Sequence, residues 1–527
     1  MTILSTNKSE CIRKSLFRRR VLLFVLSAVL ILGQTGFAFA DDYSQYQESL
    51  LADLMTDPVS GAEYSGYIVT VDDSDSVNRR ALEKIAEEQI DDITSLVDEP
   101  KDALKFTNTD NISSIEPNYK LICFDEPAGD GTSTPAIVTP DVFPYADPAD
   151  PYYTGSANYQ WGLKYVNTKI AWQHGYRGKG VTIAIVDSGI TNSHEDFDSR
   201  RIIEKGNYVP GARLQDDNGH GTFVTSIISA RINNNATSGG LGMAGIVDEA
   251  NIISYKVIDN EGVGFVSDML QAYYDLLNSK VDVINMSFGH PGYIAREDSY
   301  VQRLIAKGVI IVSAVGNDGN KLPPVQNQII YPAGYANVIG VGSVNSSGNI
   351  SAFSTRNRTV DILAPGENMT GMSNTQSNGY KVNGKGTSYA SPVVAAAAVI
   401  AKQIAPKITA KDFLDGVKAT AKPNSGGIVD IGALVLRLEA KYRTHSIGTS
   451  PVKVAILISF MSNGGKVSLK NKAVFIGNKF GKLPKPTRKG YIFKGWYTAK
   501  KKGTKITSVK IVKLKKNTKL YAHWKKR

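Results

Sequence analysis

Cysteine is nearly absent: Cys11 and Cys123 are the only two in 527 residues. Two thiols are too few for a disulfide framework. The fold must therefore rest on apolar packing, for which an apolar fraction of 42% suffices. Long hydrophobic runs are also scarce. Only Val21–Leu32 stands out, and it is short for a membrane span of about 20 residues. Acidic residues are missing altogether from 452–527, which hold 22 Lys and Arg. The net charge of +12 thus belongs to the tail, and the rest of the chain sums to −10. The converse shortage marks residues 41–149, with 6 basic residues against 24 acidic ones. Charge segregated in this way implies separate modules with separate partners; charge alone would admit nucleic acid at the tail, but no nucleic-acid partner is expected. A chain of this length has room for about three or four domains.

The first 40 residues read as a secretory signal. Lys8, Arg13, Lys14 and Arg18–Arg20 form a positive region, Val21–Leu32 an apolar one, and Ala38-Phe39-Ala40 a small-x-small cleavage site. Residues 41–149 read as a small α+β module and linker. Tyr64–Val71 and Ile112–Phe124 are strand-like, Arg79–Ile93 is acidic and helix-like, and a Pro- and Asp-rich stretch runs to Pro151. From 150 to 445, β-branched runs alternate with helical patterns. Val181–Val186, Val281–Met286, Val309–Ala314 and Val338–Gly342 predict strands; Val266–Asn278, Glu297–Lys307 and Ser391–Ile404 predict helices. Alternation over such a length predicts an α/β domain with a parallel sheet in three layers, with ligands at the carboxyl ends of its strands.

Those ends carry polar residues beside glycine: Asp187-Ser-Gly189, Gly316-Asn317-Asp-Gly319 and, where a helix is expected to open, Asn218-Gly-His220-Gly221. The fourth stretch, Gly384–Val394, passes from glycine through Thr387 and Ser388 into an Ala-rich run. Alone, each reads equally well as a turn or a helix start, and Pro392 fits the first turn of such a helix. Together they supply a nucleophile (Ser388), a base (His220), a carboxylate to orient it (Asp187) and an amide donor for an oxyanion (Asn317).

The four motifs, in this order, resemble those of the subtilisin-like serine proteases. That resemblance covers about 150–440 and implies a secreted serine endopeptidase with an Asp187–His220–Ser388 triad. It departs at Phe223 and at Thr225-Ser226, which fall on the helix behind His220 and should alter packing only. It implies substrate-binding strands at Ser287-Phe288-Gly289 and at Gly262 and Gly264, with Ile330 narrowing the first specificity pocket. It implies a structural calcium ion held by Asp150, Asp196, Asn233 and Asn235, no organic cofactor, and a monomer. Residues 41–149, through Ile115–Tyr119, resemble the end of an inhibitory propeptide, so the chain is expected to cut itself between about 120 and 150. The mature protein would then contain no cysteine. Residues 452–527 resemble a Listeria–Bacteroides repeat, a β-rich module of bacterial surface proteins. Its Tyr491, Phe493, Trp496, Tyr521 and Trp524 are expected in the core, and its lysines could meet a cell-wall polyanion. The rival expectation is an inactive protease scaffold serving as a surface adhesin.

Overall fold

A computed structural model describes residues 55–71 (except 57, 60 and 61), 88–98 (except 92 and 93), 112–123, 129, 130, 148, 150–154, 159–234, 242–442 (except 324, 376–378, 424 and 425), 455–467, 471–475, 480–512 and 518–527. The signal segment, most of the linker and Asn235 lie outside these residues. The chain divides into two units, with 66–89 and 93–116 in the smaller and 58–65, 90–92 and 117–527 in the larger.

Near the N-terminus four strands occur: β1 (Tyr64–Val71), β2 (Glu88–Asp91), β3 (Thr94–Val97) and β4 (Ile112–Cys123). In the smaller unit β1 and β3 are antiparallel, with Tyr67 opposite Val97 and Thr70 opposite Thr94. The expected helix over Arg79–Ile93 is corrected at its described end: Glu88–Asp91 is a strand, and 79–87 lie outside the described residues. A short strand follows, β5 (Gly129–Asp130).

The α/β domain is built on seven parallel strands: β6 (Thr182–Asp187), β7 (Ile202–Asn207), β8 (Asn251–Lys256), β10 (Val283–Met286), β12 (Ile310–Ala314), β13 (Ile339–Val344) and β14 (Ile362–Pro365). Their spatial order is β14-β13-β12-β10-β6-β8-β7. Between them in sequence lie two short strands, β9 (Val263–Phe265) and β11 (Phe288–Gly289), and a hairpin follows, β15 (Glu367–Met372) with β16 (Tyr380–Lys385). Six helices of ten residues or more are described: α1 (His220–Ser229), α2 (Val266–Leu277), α3 (Ala295–Ala306), α4 (Thr387–Ile404), α5 (Ala410–Thr420) and α6 (Ile431–Tyr442).

Strand alternation fixes the layers. On one face Ile183, Ile185, Val283, Ile310 and Val312 join α1 and α4 in one core, and Asn285 bonds Ser391 of α4. On the other, Met286 meets Tyr273 of α2. The run Ala395–Ala398 is wholly buried; side chains this small let α4 lie close on the sheet. The sheet's two faces are thus both covered, as its unbroken apolar strands require.

The basic tail forms a sheet of β17 (Ala455–Met461), β18 (Asn471–Phe475), β19 (Tyr491–Tyr497), β20 (Lys505–Ile506) and β21 (Thr518–Lys526), ordered β18-β17-β21-β19-β20. Trp496 sits in its core with Ile458, Phe460, Phe480 and Leu520, and Phe493 and Trp524 pack against it. Tyr491 and Tyr521 are as half-buried as Phe493 and Trp524 but are not packed against this cluster, so the expected aromatic core is three rings of the five. At Lys482–Thr487 strand pairing is limited to one bridge, Thr487 to Lys466. Pro484 and Pro486 lack the N–H groups a ladder needs.

Candidate active site

β6 is flanked in the sheet by β10 and β8, and Asp187 is its last residue. The carboxylate is buried. Its Oδ1 accepts the N–H of Ser188 at 2.7 Å and pairs with His220 Nδ1 at 2.7 Å. His220 opens α1, as its position among glycines predicts. Gly219 before it takes φ 107, a left-handed value that glycine adopts without strain. Gly221 after it admits no side chain, because a Cβ there would lie 2.2 Å from Gly189 O. The helix can therefore close on the end of β6, which brings imidazole and carboxylate together. With Nδ1 donating to Asp187, Nε2 is left as the basic nitrogen.

Ser388 is the second residue of α4 and is buried. Its Oγ donates to Ser287 O at 2.7 Å. Asn317 follows β12, and its Oδ1 accepts both the N–H and the hydroxyl of Thr387, each at 3.0 Å. Those bonds commit the amide oxygen and turn the NH2 group away from Thr387. First-turn N–H groups have no partner within their own helix. Thr387 N–H goes to Asn317 and Tyr389 N–H to Gly386 O, which leaves Ser388 N–H as the donor beside the nucleophile. A cavity of about 1160 Å³ is lined by Asn218, His220, Gly262, Val263, Asn317 and Ile330 among others.

The expected substrate strands flank this cavity. β9 and β11 both pair with the chain's own β4, antiparallel. Leu121 lies opposite Gly264, Ile122 opposite Val263 and Gly289, and Cys123 opposite Phe288. Residues 120–123 therefore form the middle strand between β9 and β11. A Cβ on Gly264 would sit 2.0 Å from Val257 O, so only glycine lets β9 lie where it does. Ile330 is buried against Ala314.

Residues that sequence reasoning passed over complete the site. Asp216 is buried, and burial raises its pKa. Its carboxylate accepts from Ser188 Oγ (2.9 Å), Gly219 N–H (2.7 Å), Thr222 N–H (2.8 Å) and Thr222 Oγ1 (2.5 Å), tying the start of α1 to the end of β6. Lys256, fully buried at the end of β8, donates to Ser188 O (2.7 Å), Asp217 Oδ1 (2.7 Å) and Ile258 O (2.9 Å). A lysine ending a buried apolar strand was its only signal. Ser287 matters through its hydroxyl, which donates to Ser388 O at 2.9 Å. Pro392 is the sixth residue of α4, beyond the first turn where the sequence suggested it. Phe223 packs against Tyr389 with centroids 4.3 Å apart and the rings tilted by 37°, and Ser226 Oγ bonds Phe223 O and Met372 N–H, so these two departures from the family pattern serve packing.

The expected calcium ligands are partly assembled. Asp150 is fully buried and accepts Asn233 N–H at 3.0 and 3.1 Å. Asp196 Oδ2 accepts Met243 N–H (2.9 Å) and Tyr380 OH (3.1 Å). Asp196 Oδ1 and Asn234 Oδ1 are buried with no hydrogen-bond partner among the described residues. Burial pushes both carboxyls up to about 7, and the charge of Asp150 adds to the shift of Asp196. Buried acceptor oxygens without donors suit a hard cation. Asn234 lies within the Asn-rich loop 233–235 that the resemblance pointed to. Among the described residues no cluster of three or more His, Cys, Asp or Glu is assembled to hold a metal.

Residues 178–436 match the model of the subtilase family, and residues 457–523 match that of the Listeria-Bacteroides repeat domain. The chain is 36% identical over 250 residues to the minor extracellular protease Epr of Bacillus subtilis, covering 47% of this chain and 36% of Epr. It is 33% identical over 284 residues to alkaline elastase YaB of a Bacillus species, covering 54% and 70% of the two. With subtilisin BL of Lederbergia lenta it shares 34% over 262 residues, 50% of this chain and 90% of the relative.

Proposed function

The chain belongs to the subtilase family, and on that footing we propose that it is a secreted serine endopeptidase, made as a zymogen that processes itself. The observation that carries the reading is the buried 2.7 Å contact of His220 Nδ1 with Asp187, with the imidazole 6.1 Å from the ring of Tyr389, which follows Ser388 at the start of α4. In the reaction, the Ser388 hydroxyl turns from Ser287 O to His220 Nε2 and gives up its proton there. Oγ attacks the peptide carbonyl, and Asp187 stabilises the imidazolium that forms. The oxyanion receives hydrogen bonds from Asn317 NH2 and Ser388 N–H. His220 then returns the proton to the leaving amine. Water, activated by the same histidine, releases the acyl group. Relatives with "extracellular" and "subtilisin" in their names support the location and the activity.

Residues 120–123 as the strand between β9 and β11 support the zymogen. They hold the place of an extended substrate by backbone pairing. Asn118 fixes them further, accepting Ser267 N–H of α2 at 2.9 Å, and Tyr119 stacks on His290 with centroids 5.9 Å apart. Asp91 holds a second anchor, Arg296 of α3, at 2.5 Å. Calcium, if bound, would be held by Asp150 and Asp196 with Asn234, and would supply a charge that keeps both carboxylates ionised. The basic tail is proposed to hold the enzyme to an anionic wall polymer.

Secretion of the chain and of its Ser388→Ala form tests the reading. The parent should mature and hydrolyse unfolded protein; Ser388→Ala should remain full-length and do neither. Equal maturation of both would end the case for self-processing. For the tail, isolated 452–527 should bind cell walls in a salt-sensitive manner, and equal retention of an enzyme lacking it would remove that role.

A further inference from the structure

β16 runs directly into Gly386 and the nucleophile Ser388. One edge of β16 pairs with β15. The other carries β5, antiparallel, with Lys381 opposite Asp130 and Val382 opposite Gly129. The same stretch of chain holds residues 120–123 between β9 and β11. Residues 120–123 and residues 129–130 are thus each held by backbone pairing to strands of the α/β domain. On the zymogen reading, a cut after Cys123 puts Gly129 and Asp130 six and seven positions beyond the scissile bond. A strand edge holds any extended peptide through backbone groups and selects among peptides by the side chains that flank it.

Those side chains are basic. Along β16, Tyr380, Val382 and Gly384 are buried, while Lys381 and Lys385 are half-buried and Asn383 is exposed. Its outward side is therefore Lys-Asn-Lys, and Lys381 also lines the cavity over the triad. The stretch that supplies β5 is acidic in sequence. Asp125, Glu126 and Asp130 fall in 121–149, which contain no Lys or Arg.

We infer that the outer edge of β16 is a substrate-binding strand for residues about five to seven positions beyond the scissile bond, where Lys381 selects acidic side chains. This rests on the endopeptidase reading above. It gives the enzyme a substrate class, extended segments with an acidic patch on the leaving-group side, and the enzyme's own precursor is the first member of that class. Most of the selectivity arises well away from the first specificity pocket.

Three internally quenched peptides test this on the matured protein. They share one non-primed half. One ends three residues after the scissile bond; the other two continue for eight, with either Asp and Glu or Lys at positions five to seven. The long acidic peptide should exceed the truncated one in kcat/KM by about tenfold, and the long basic peptide should show no such gain. Lys381→Glu should reverse the order of the acidic and basic peptides. N-methylation of the acidic peptide's backbone at positions five to seven should abolish its gain. Equal kcat/KM for all three peptides overturns the binding strand and leaves the endopeptidase reading intact. Hydrolysis of none overturns that reading and the strand with it.

Discussion

Replacing Ser287 by alanine should loosen the start of α4, and the reason lies in Pro392. An interior helical residue accepts a hydrogen bond from the N–H four positions on. For Ser388 that position is Pro392, which has no N–H. The buried Ser388 carbonyl instead accepts from Ser287 Oγ at 2.9 Å. Ser287→Ala strips that donor and leaves a buried carbonyl unsatisfied, at a cost of about 1–3 kcal/mol. If the two devices substitute for one another, Pro392→Ala restores an N–H and lowers the cost of losing Ser287. The four chains of this cycle, all in a Ser388→Ala background that prevents self-digestion, can be compared by their unfolding rates in urea. Ser287→Ala should speed unfolding by about 5- to 100-fold with Pro392 present. In the Pro392→Ala background the effect should shrink by about fivefold, a coupling of about 1 kcal/mol. An identical ratio in both backgrounds would refute the idea that Ser287 stands in for the proline's missing donor.

Asn317→Ala should lower kcat by about 10²–10³ while KM changes little, as measured with a chromogenic peptide; that size is the general one for losing an oxyanion donor in this family and is not worked out from this structure. Asp150 and Asp196 titrate near 7 when folded and near 3.8 when unfolded, so between those values the folded state binds more protons and stability falls as pH rises. A chelator should therefore lower Tm markedly at pH 8 and hardly at pH 5; an equal shift at both would remove the cation from that site. Trp496→Ala should cost the tail about 3–5 kcal/mol and melt it, seen as lost near-UV dichroism of isolated 452–527, whereas peptidase activity of the full chain should be unchanged.

The candidate triad was legible because each member sits where an apolar run stops beside glycine. Asp187 ends a β-branched strand, and His220 and Ser388 open helices whose periodicity follows at once. These are local signals, and Asn317 shares them. What the sequence hid depends on contacts between distant segments. Glu88–Asp91 has an acidic, helix-favouring composition, yet tertiary pairing makes it a strand. Lys256 reads as one polar residue at a strand end, and only the folded chain brings Ser188, Asp217 and Ile258 around its amine. Pro392 looked like a first-turn proline because the helix start cannot be placed to the residue from composition. The pairing of β5 with β16 could not be foreseen, since Gly129-Asp130 reads as a turn.

The central claim is that Ser388 is an activated nucleophile. Treatment of the matured protein with a fluorophosphonate probe, followed by mass-spectrometric mapping, tests it most directly. The account predicts a single stoichiometric adduct on Ser388, absent after His220→Ala. A folded, matured protein that takes up no probe would contradict it and leave the chain a surface-binding scaffold.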